Sequence, residues 1–190
     1  SAASDVYKRQ NLKTHALSHY KGLKNNAISY PYEIVSNPYV NKLFIHDDKL
    51  YLGTSDGLEK FDLNGGKMIK AEGKYCAGYI IKDIGVDSKG ILWFGSGNGL
   101  VRFNPQTGEK KVYNSSDGLS DNTVKSLEIC PEGKIWMGTD NGISSFNLST
   151  GTFENYYAMD GLQGNEFSAN ASLLMNGNLY FGGINGLVYF

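Results

Sequence analysis

The stretch that decides the fold is Leu92–Leu100, with the sequence LWFGSGNGL. Its pattern is an apolar residue, an aromatic residue, an apolar residue, a glycine, a short polar turn and a second glycine. The pattern recurs without gaps at Leu50–Leu58, Ile135–Ile143 and Leu179–Leu187, each time with a phenylalanine three residues further on, at Phe61, Phe103, Phe146 and Phe190. The second glycines, at positions 57, 99, 142 and 186, are 42, 43 and 44 residues apart. Such a nearly constant period identifies a repeat protein.

Each repeat predicts four short strands. In the third repeat they fall at Val124–Ile129, at Ile135–Gly138, on the stretch that ends at Phe146, and around Phe153 and Tyr156. The dipeptide between the second and third strands favours a tight type I′ hairpin, because both residues tolerate a positive φ. This dipeptide is Asp56-Gly57, Asn98-Gly99, Asn141-Gly142 and Asn185-Gly186 in the four repeats.

The third strand of each repeat indicates the architecture. Ile143 and Phe146 are three residues apart and therefore face opposite sides of their strand, as do Leu100 and Phe103. Such a strand needs cover on both faces, which four-stranded sheets stacked around an axis provide. A period of about 40–45 residues is typical of propeller blades. We predict an all-β fold, a partial β-propeller over residues 11–190 with repeats centred near 50–61, 92–103, 135–146 and 179–190.

The two ends of the sequence suggest a piece of a larger ring. Asp5–Gln10 resembles a translated sequencing adapter, and we expect Ser1–Gln10 to be an artefact or a disordered tail that belongs to no fold. The last repeat stops at Phe190, before its fourth strand. We therefore expect an open arc of about three to four blades whose partner is the remainder of the propeller.

The repeat resembles a known family, the two-component regulator propeller repeat. The resemblance covers residues 40–190 and rests on Leu92–Gly108 and on the connecting segments Tyr113–Leu119 and Tyr157–Leu162. Gly164–Phe167 followed by Leu179–Gly183 is similar to the last propeller repeat of that family.

The resemblance implies a sensor and not an enzyme. In that family a small all-β domain, a membrane helix and a histidine-kinase module follow the propeller. It implies the periplasmic sensor region of an inner-membrane hybrid two-component regulator, responding to oligosaccharides, non-catalytic itself, and dimeric through the parent protein. The alternatives are a catalytic propeller, such as a glycan hydrolase or lyase, and a protein-interaction scaffold of the WD kind.

Composition limits the possible partners. The chain has 190 residues with 18 Lys+Arg and 19 Asp+Glu, so its charge balance gives no electrostatic reason to expect nucleic acid as a partner. No apolar run reaches the roughly 20 residues that cross a bilayer. Cys76 and Cys130 have no metal-binding spacing, and we expect two unpaired, partly buried thiols, with a disulfide as the alternative. We expect no metal site and no cofactor.

The candidate ligand-binding residues lie in loops. Inter-blade loops often carry ligand contacts, and the acidic residues predicted there are Asp117, Asp121, Asp160 and Glu166. The segment Ser29–Asn41 does not follow the repeat, and its aromatic residues Tyr30, Tyr32 and Tyr39 form a candidate binding surface. Each of these residues has the alternative of being only solvated, or part of a disordered insertion.

Two tryptophans have a competing structural explanation. Trp93 and Trp136 could stack on sugar rings, but they occupy the same repeat position as Tyr51 and Tyr180, in strands predicted to be buried. We therefore predict that both belong to the core.

Overall fold

The computed structural model describes residues 6–11, 16–21, 37, 39–64, 67–70 and 75–190. They belong to two compact units, residues 1–36 and residues 37–190. In the first unit, β1 (Val6–Asn11) and β2 (Ala16–Lys21) pair as an antiparallel sheet. β1 includes residues 6–10, for which we predicted no stable element; the proposed origin of Ser1–Gln10 stays a prediction.

The second unit consists of four antiparallel sheets in chain order, which we call blades 1 to 4. Blade 1 contains β3 (Val40–His46), β4 (Lys49–Thr54), β5 (Gly57–Asn64) and β6 (Lys67–Lys70). Blade 2 contains β7 (Ile81–Val86), β8 (Leu92–Ser96), β9 (Gly99–Phe103) and β10 (Lys110–Tyr113). Blade 3 contains β11 (Val124–Ile129), β12 (Lys134–Thr139), β13 (Ile143–Asn147) and β14 (Phe153–Tyr156). Blade 4 contains β15 (Phe167–Met175), β16 (Asn178–Gly183) and β17 (Gly186–Tyr189).

The second unit is a partial β-propeller, as the repeat predicts. The strands of each blade pair in the order of the sequence. The first strands of neighbouring blades lie beside one another, β3 next to β7, β7 next to β11 and β11 next to β15, and we call them the inner strands. Among the described residues the only helical segments are two 3₁₀ turns, Ser115–Asp117 and Ala158–Asp160, each in the loop between two blades.

The core lies between the blades, where both faces of a sheet are covered. Ile143 and Phe146 are both buried although they face opposite sides of β13, as predicted. Three apolar clusters fill the spaces between blades 1 and 2, 2 and 3, and 3 and 4. Trp93 is buried in the second cluster, which confirms its predicted core role. Trp136 is half-buried at the edge of the third, so its prediction is only partly correct.

The hairpins between the second and third strands are not type I′. In each of them only the glycine has a positive φ, +123° at Gly99 for example, and the preceding Asp or Asn does not. A hydroxyl group organises the turn in blades 1 to 3. In blade 2, Ser96 Oγ donates to the Gly99 carbonyl and accepts from the Asn98 N–H, at 2.9 and 3.1 Å. Thr54 and Thr139 make the same pair of bonds.

Turns with two consecutive positive φ values occur elsewhere, between first and second strands. They are Asp47-Asp48 in blade 1 and Asn176-Gly177 in blade 4. The type I′ prediction was therefore wrong for the hairpins between second and third strands. Two consecutive positive φ values occur instead in hairpins between first and second strands.

Candidate ligand-binding end of the propeller

The topology places several loops at one end of the blades. Successive strands run in opposite directions, so the loops that join blades and the hairpins between second and third strands share the end at which the inner strands begin. We call this the connector end; it comprises the inter-blade loops 114–123 and 157–166, the hairpins at 55–56, 97–98, 140–141 and 184–185, and the first residues of the inner strands. All four acidic residues predicted as ligand contacts lie there: Asp117, Asp121, Asp160 and Glu166.

Two of these acidic residues organise their own loops. Asp117 Oδ2 accepts a hydrogen bond from the Asn114 N–H at 2.9 Å, and Asp160 Oδ2 accepts one from the Tyr157 N–H at 2.8 Å. Each bond closes the 3₁₀ turn between two blades, and a glycine with positive φ follows it. The Asp-Gly-Leu signature of the connecting segments is therefore a turn motif. Both aspartates remain exposed to solvent.

The other two acidic residues differ in their surroundings. Asp121 Oδ1 accepts from the Thr123 N–H at 2.7 Å, again a local turn. Glu166 Oε1 lies 3.3 Å from Lys125 Nζ, which also pairs with Asp140. Burial opposes the charge of Lys125, but the bonds and charges of its two carboxylate partners outweigh this and raise its pKa. The structure thus brings together Lys125 of β11, Asp140 of the blade 3 hairpin and Glu166 of the loop before blade 4 at the connector end.

Tyr39 is the one tyrosine of the predicted aromatic segment that can be placed. It is exposed, and its carbonyl accepts from the Ser55 N–H at 3.0 Å, which holds it beside the connector-end hairpin of blade 1. Tyr30 and Tyr32 lie outside the described residues, so their predicted role stays a prediction.

Every inner strand has a β-bulge close to the connector end. The extra residues are Asn41, Lys82 and Lys125 in blades 1 to 3, and in blade 4 the register shifts between Phe167 and Ser172. Bulges redirect side chains and are frequent next to functional sites. Asn41 Nδ2 donates to the Ile81 carbonyl of the next blade at 3.0 Å. We did not predict these residues from the sequence; their signal is an apolar residue followed by two polar ones at 40–42, 81–83 and 124–126.

The buried carboxylate of Asp83, next to the bulge at Lys82, connects three blades. Asp83 in blade 2 is 2% exposed. Its Oδ1 lies 2.6 Å from Lys42 Nζ of blade 1 and accepts from the Ile84 N–H at 2.9 Å. Its Oδ2 accepts from the Leu127 N–H of blade 3 at 2.9 Å. The Leu127 N–H points away from β12, the strand that pairs with β11. Asp83 therefore supplies a hydrogen-bond acceptor to the inner edge of β11, where no strand pairs with it.

An open cleft of about 310 Å³ lies between the inner strands of blades 1 to 3. Its polar residues are Lys42, Asp83 and Glu128, and its apolar walls come from Phe44, Ile84, Val86, Leu127 and Ile129. Burial raises the pKa of Glu128; a hydrogen bond from Ser172 opposes the rise and the charge of Asp83 adds to it. The axis of the arc is therefore lined by charged groups that link the blades.

Neither thiol is a nucleophile at neutral pH. Cys76 is half-buried and Cys130 is buried, and both are free, as predicted. Burial raises the pKa of Cys76 to about 11 and that of Cys130 to about 12, so both stay protonated. Over residues 39–64 and 75–190, no group of three or more His, Cys, Asp or Glu is arranged to hold a metal ion. No helix among the described residues is long and apolar enough to cross a membrane.

The fold matches solved structures closely enough to be recognised. The extracellular domain of the hybrid two-component system BT4673 from B. thetaiotaomicron superposes with a TM-score of 0.64 at 19% identity, over 96% of this chain. That of BT3049 from the same organism gives 0.52 at 21% identity, over 80% of this chain. The chain has their fold. Virginiamycin B lyase from Staphylococcus aureus gives 0.57 at 14% identity, over 98% of this chain, so an enzyme shares the fold.

The chain spans 24% of the BT4673 domain, 27% of the BT3049 domain and 63% of the lyase. No family model matches the sequence, and no curated protein matches it. These three structures are 14–21% identical to the chain, and the likeness establishes the fold.

Proposed function

We propose that this chain is part of the periplasmic sensor region of a bacterial hybrid two-component regulator anchored in the inner membrane. One combination of observations supports this: a fourfold repeat that resembles the two-component regulator propeller, in a fold shared with the extracellular domains of BT3049 and BT4673. Dimerisation through the rest of the parent protein belongs to the same proposal.

The ligand of this proposal is an oligosaccharide bound at the connector end. Carboxylate and amide oxygens accept hydrogen bonds from sugar hydroxyls, and an exposed aromatic ring packs against the apolar face of a pyranose. The connector end offers the exposed carboxylates of Asp117, Asp160 and Glu166 and the exposed ring of Tyr39. Asp117 and Asp160 are already held by backbone bonds, which fixes their free oxygens before a ligand arrives.

The proposed output is a shift between two arrangements of the sensor and not a chemical step. A ligand that spans two connector-end loops stabilises one spacing of their blades over another. The Asp83 bonds to Lys42 and Leu127 tie the inner strands of three blades together, so a change at one blade is passed to its neighbours.

A catalytic propeller is the second candidate, because virginiamycin B lyase shares the fold. A catalytic propeller would convert the oligosaccharide to products, whereas a sensor would bind it unchanged. Both are tested on the same mixture: new reducing ends or unsaturated products from the oligosaccharide would favour the enzyme.

The test begins with thermal shifts of the purified chain against a panel of oligosaccharides from polysaccharide breakdown. A ligand at 100 times its Kd raises the free energy of unfolding by about 2.7 kcal/mol. Hits are measured by calorimetry with Tyr39→Ala and Glu166→Gln, which should weaken binding about tenfold or more. Glu109→Gln is the matched control, since Glu109 is exposed in a turn at the opposite end. No shift from any panel member, or equal losses for Glu109→Gln, would count against the proposal.

A further inference from the structure

The bulges of blades 2 and 3 place a lysine at the same position of the repeat. Lys82 is the extra residue of the bulge in β7, and Lys125 is the extra residue of the bulge in β11. The residues that flank each bulge pair with equivalent positions of the second strand, and the same pair of hydroxyl bonds closes the hairpin that follows. The two lysine side chains therefore start from equivalent backbone positions at the connector end.

In blade 3 the chain itself supplies the partners of the lysine. Lys125 Nζ pairs with the carboxylate of Asp140 in the hairpin and lies 3.3 Å from Glu166 Oε1 in the loop. Between the same hairpin and loop, Asn165 Nδ2 donates to Asn141 Oδ1 at 3.1 Å. The polar groups of this blade thus satisfy one another, and the Lys125 side chain is only 16% exposed.

In blade 2 the same positions carry no carboxylate. Gly97 and Thr123 stand where blade 3 has its two acidic residues. Among the described residues, no carboxylate pairs with Lys82, and neither the Asn98 side chain nor the Thr123 hydroxyl makes a hydrogen bond. No atom lies within 4 Å of the place where a Cβ of residue 97 would be. Blade 2 therefore has an uncompensated ammonium group beside open space.

We infer that Lys82 binds a carboxylate of the ligand, at the place that Asp140 occupies in blade 3, so that the ligand is an acidic oligosaccharide containing a uronic acid. This inference rests on the proposed function and narrows its ligand class. Hydrogen bonds between an ammonium group and a carboxylate are stronger than those between neutral groups. The Asn98 amide and the Thr123 hydroxyl are available for the hydroxyl groups of the same sugar.

The other charges of the connector end direct the acidic sugar to blade 2. Asp117, Asp160 and Glu166 are exposed, and they repel a ligand carboxylate that lies close to them. Lys125 is already neutralised by its two partners. The charge of the ligand therefore determines which of its sugars lies at Lys82, while the remaining sugars present only hydroxyl groups to the acidic loops.

The experiment is calorimetry with tetramers of galacturonic, glucuronic and mannuronic acid and with their methyl esters, which keep the sugars and remove the charge. At least one acid should bind about tenfold or more tightly than its ester. This preference should shrink in about 0.5 M salt, which screens the charges. Lys82→Gln should abolish the preference. Lys89→Gln is the matched control and should preserve it, because Lys89 is exposed in a turn at the opposite end.

A second variant tests the site without removing any of its groups. Gly97→Asp places a carboxylate beside Lys82, as Asp140 does beside Lys125, and the open space accommodates the side chain. It should weaken binding of the acid about tenfold or more with an unchanged melting midpoint. Gly97→Asn has the same size without the charge and should weaken binding less.

The outcomes separate this inference from the proposed function. If esters or other neutral oligosaccharides bind as tightly as any acid, or if Lys82→Gln leaves the preference for the acid intact, the inference is overturned and the sensor proposal stands. Equal losses for Gly97→Asp and Gly97→Asn would also overturn it, because the effect would then be one of volume. If no oligosaccharide binds, acidic or neutral, both proposals fail.

Discussion

Replacement of Asp83 by alanine should loosen three blades at once. The buried carboxylate pairs with Lys42 of blade 1 at 2.6 Å and accepts from the Leu127 N–H of blade 3 at 2.9 Å. In the alanine variant Lys42 loses its ion-pair partner, and the Leu127 N–H at the inner edge of β11 loses its acceptor.

The expected cost follows from these two bonds. An unsatisfied buried N–H costs about 1–3 kcal/mol, and breaking a buried ion pair from one side costs about 3–5 kcal/mol. The Lys42 side chain is 30% exposed and recovers part of its hydration, so the lower part of this range applies. We expect Asp83→Ala to lower the free energy of unfolding by about 3–4 kcal/mol, which in a protein of this size corresponds to a drop in Tm of roughly 6–16 °C.

The assay is urea unfolding followed by far-ultraviolet circular dichroism, with Ser126→Ala as the matched control. Ser126 holds the same repeat position in blade 3, and its buried Oγ makes no hydrogen bond to any described residue. Its removal breaks no hydrogen bond and leaves no polar group unsatisfied, so Ser126→Ala should not lower the free energy of unfolding. The role assigned to Asp83 is refuted if the free energy of unfolding of Asp83→Ala stays within about 1 kcal/mol of that of the unsubstituted chain, or if Ser126→Ala lowers it equally.

Three further predictions concern the core, a turn and pH. Trp93→Ala should cost about 3–5 kcal/mol and Trp136→Ala clearly less, because only Trp93 is fully buried; equal losses in thermal unfolding would contradict the blade assignment. Gly99→Ala should destabilise by more than about 1 kcal/mol, since φ is +123° and a Cβ would collide with a backbone carbonyl, whereas Gly97→Ala, with open space around it, should be neutral in the same assay. Burial raises the pKa of Glu128 above 4.5, so its protonated form stabilises the fold at low pH and the contribution is lost as pH rises through the raised pKa. Glu128→Gln should therefore gain stability relative to the unsubstituted chain between pH 4.5 and neutral, and parallel urea midpoints across that range would refute the assignment.

The fold could be predicted because the repeat specifies it several times over. The burial of Ile143 and Phe146 on opposite faces of one strand follows from their spacing alone. That spacing, found in successive repeats, admits only sheets covered on both sides. The turn type could not be predicted in the same way. The turn type depends on the hydroxyls of Thr54, Ser96 and Thr139, each of which donates to the carbonyl of the glycine three residues later. These turns need only that one residue with a positive φ, whereas a type I′ turn needs two.

The candidate site was predictable in its location but not in its contacts. Sequence placed Asp117 and Asp160 in the loops between blades, and the topology puts those loops at one end. In both loops the aspartate accepts a hydrogen bond from the backbone N–H three residues before it. The Asp-Gly-Leu sequence therefore indicates a turn and does not by itself indicate a ligand contact. Asp83 escaped prediction because its partner Leu127 is 44 residues away, in the next blade, and no local pattern distinguishes a buried aspartate from an exposed one.

Trp136 shows the limit of reasoning from equivalent positions. Its repeat position is that of Trp93, yet its burial depends on a fourth strand in the following blade. The burial of each tryptophan depends on the residues that the next blade places against it. It therefore cannot be predicted from the repeat position alone and requires the three-dimensional arrangement of the blades.

The most direct test of the central claim is amide hydrogen exchange on the chain with and without the strongest oligosaccharide of the panel. Ligand binding at the connector end predicts added protection in residues 114–123 and 157–166 and none in the turns 104–109 and 131–133 at the opposite end. Protection confined to the opposite end, or an unchanged exchange pattern with a ligand that calorimetry shows to be bound, would contradict the account.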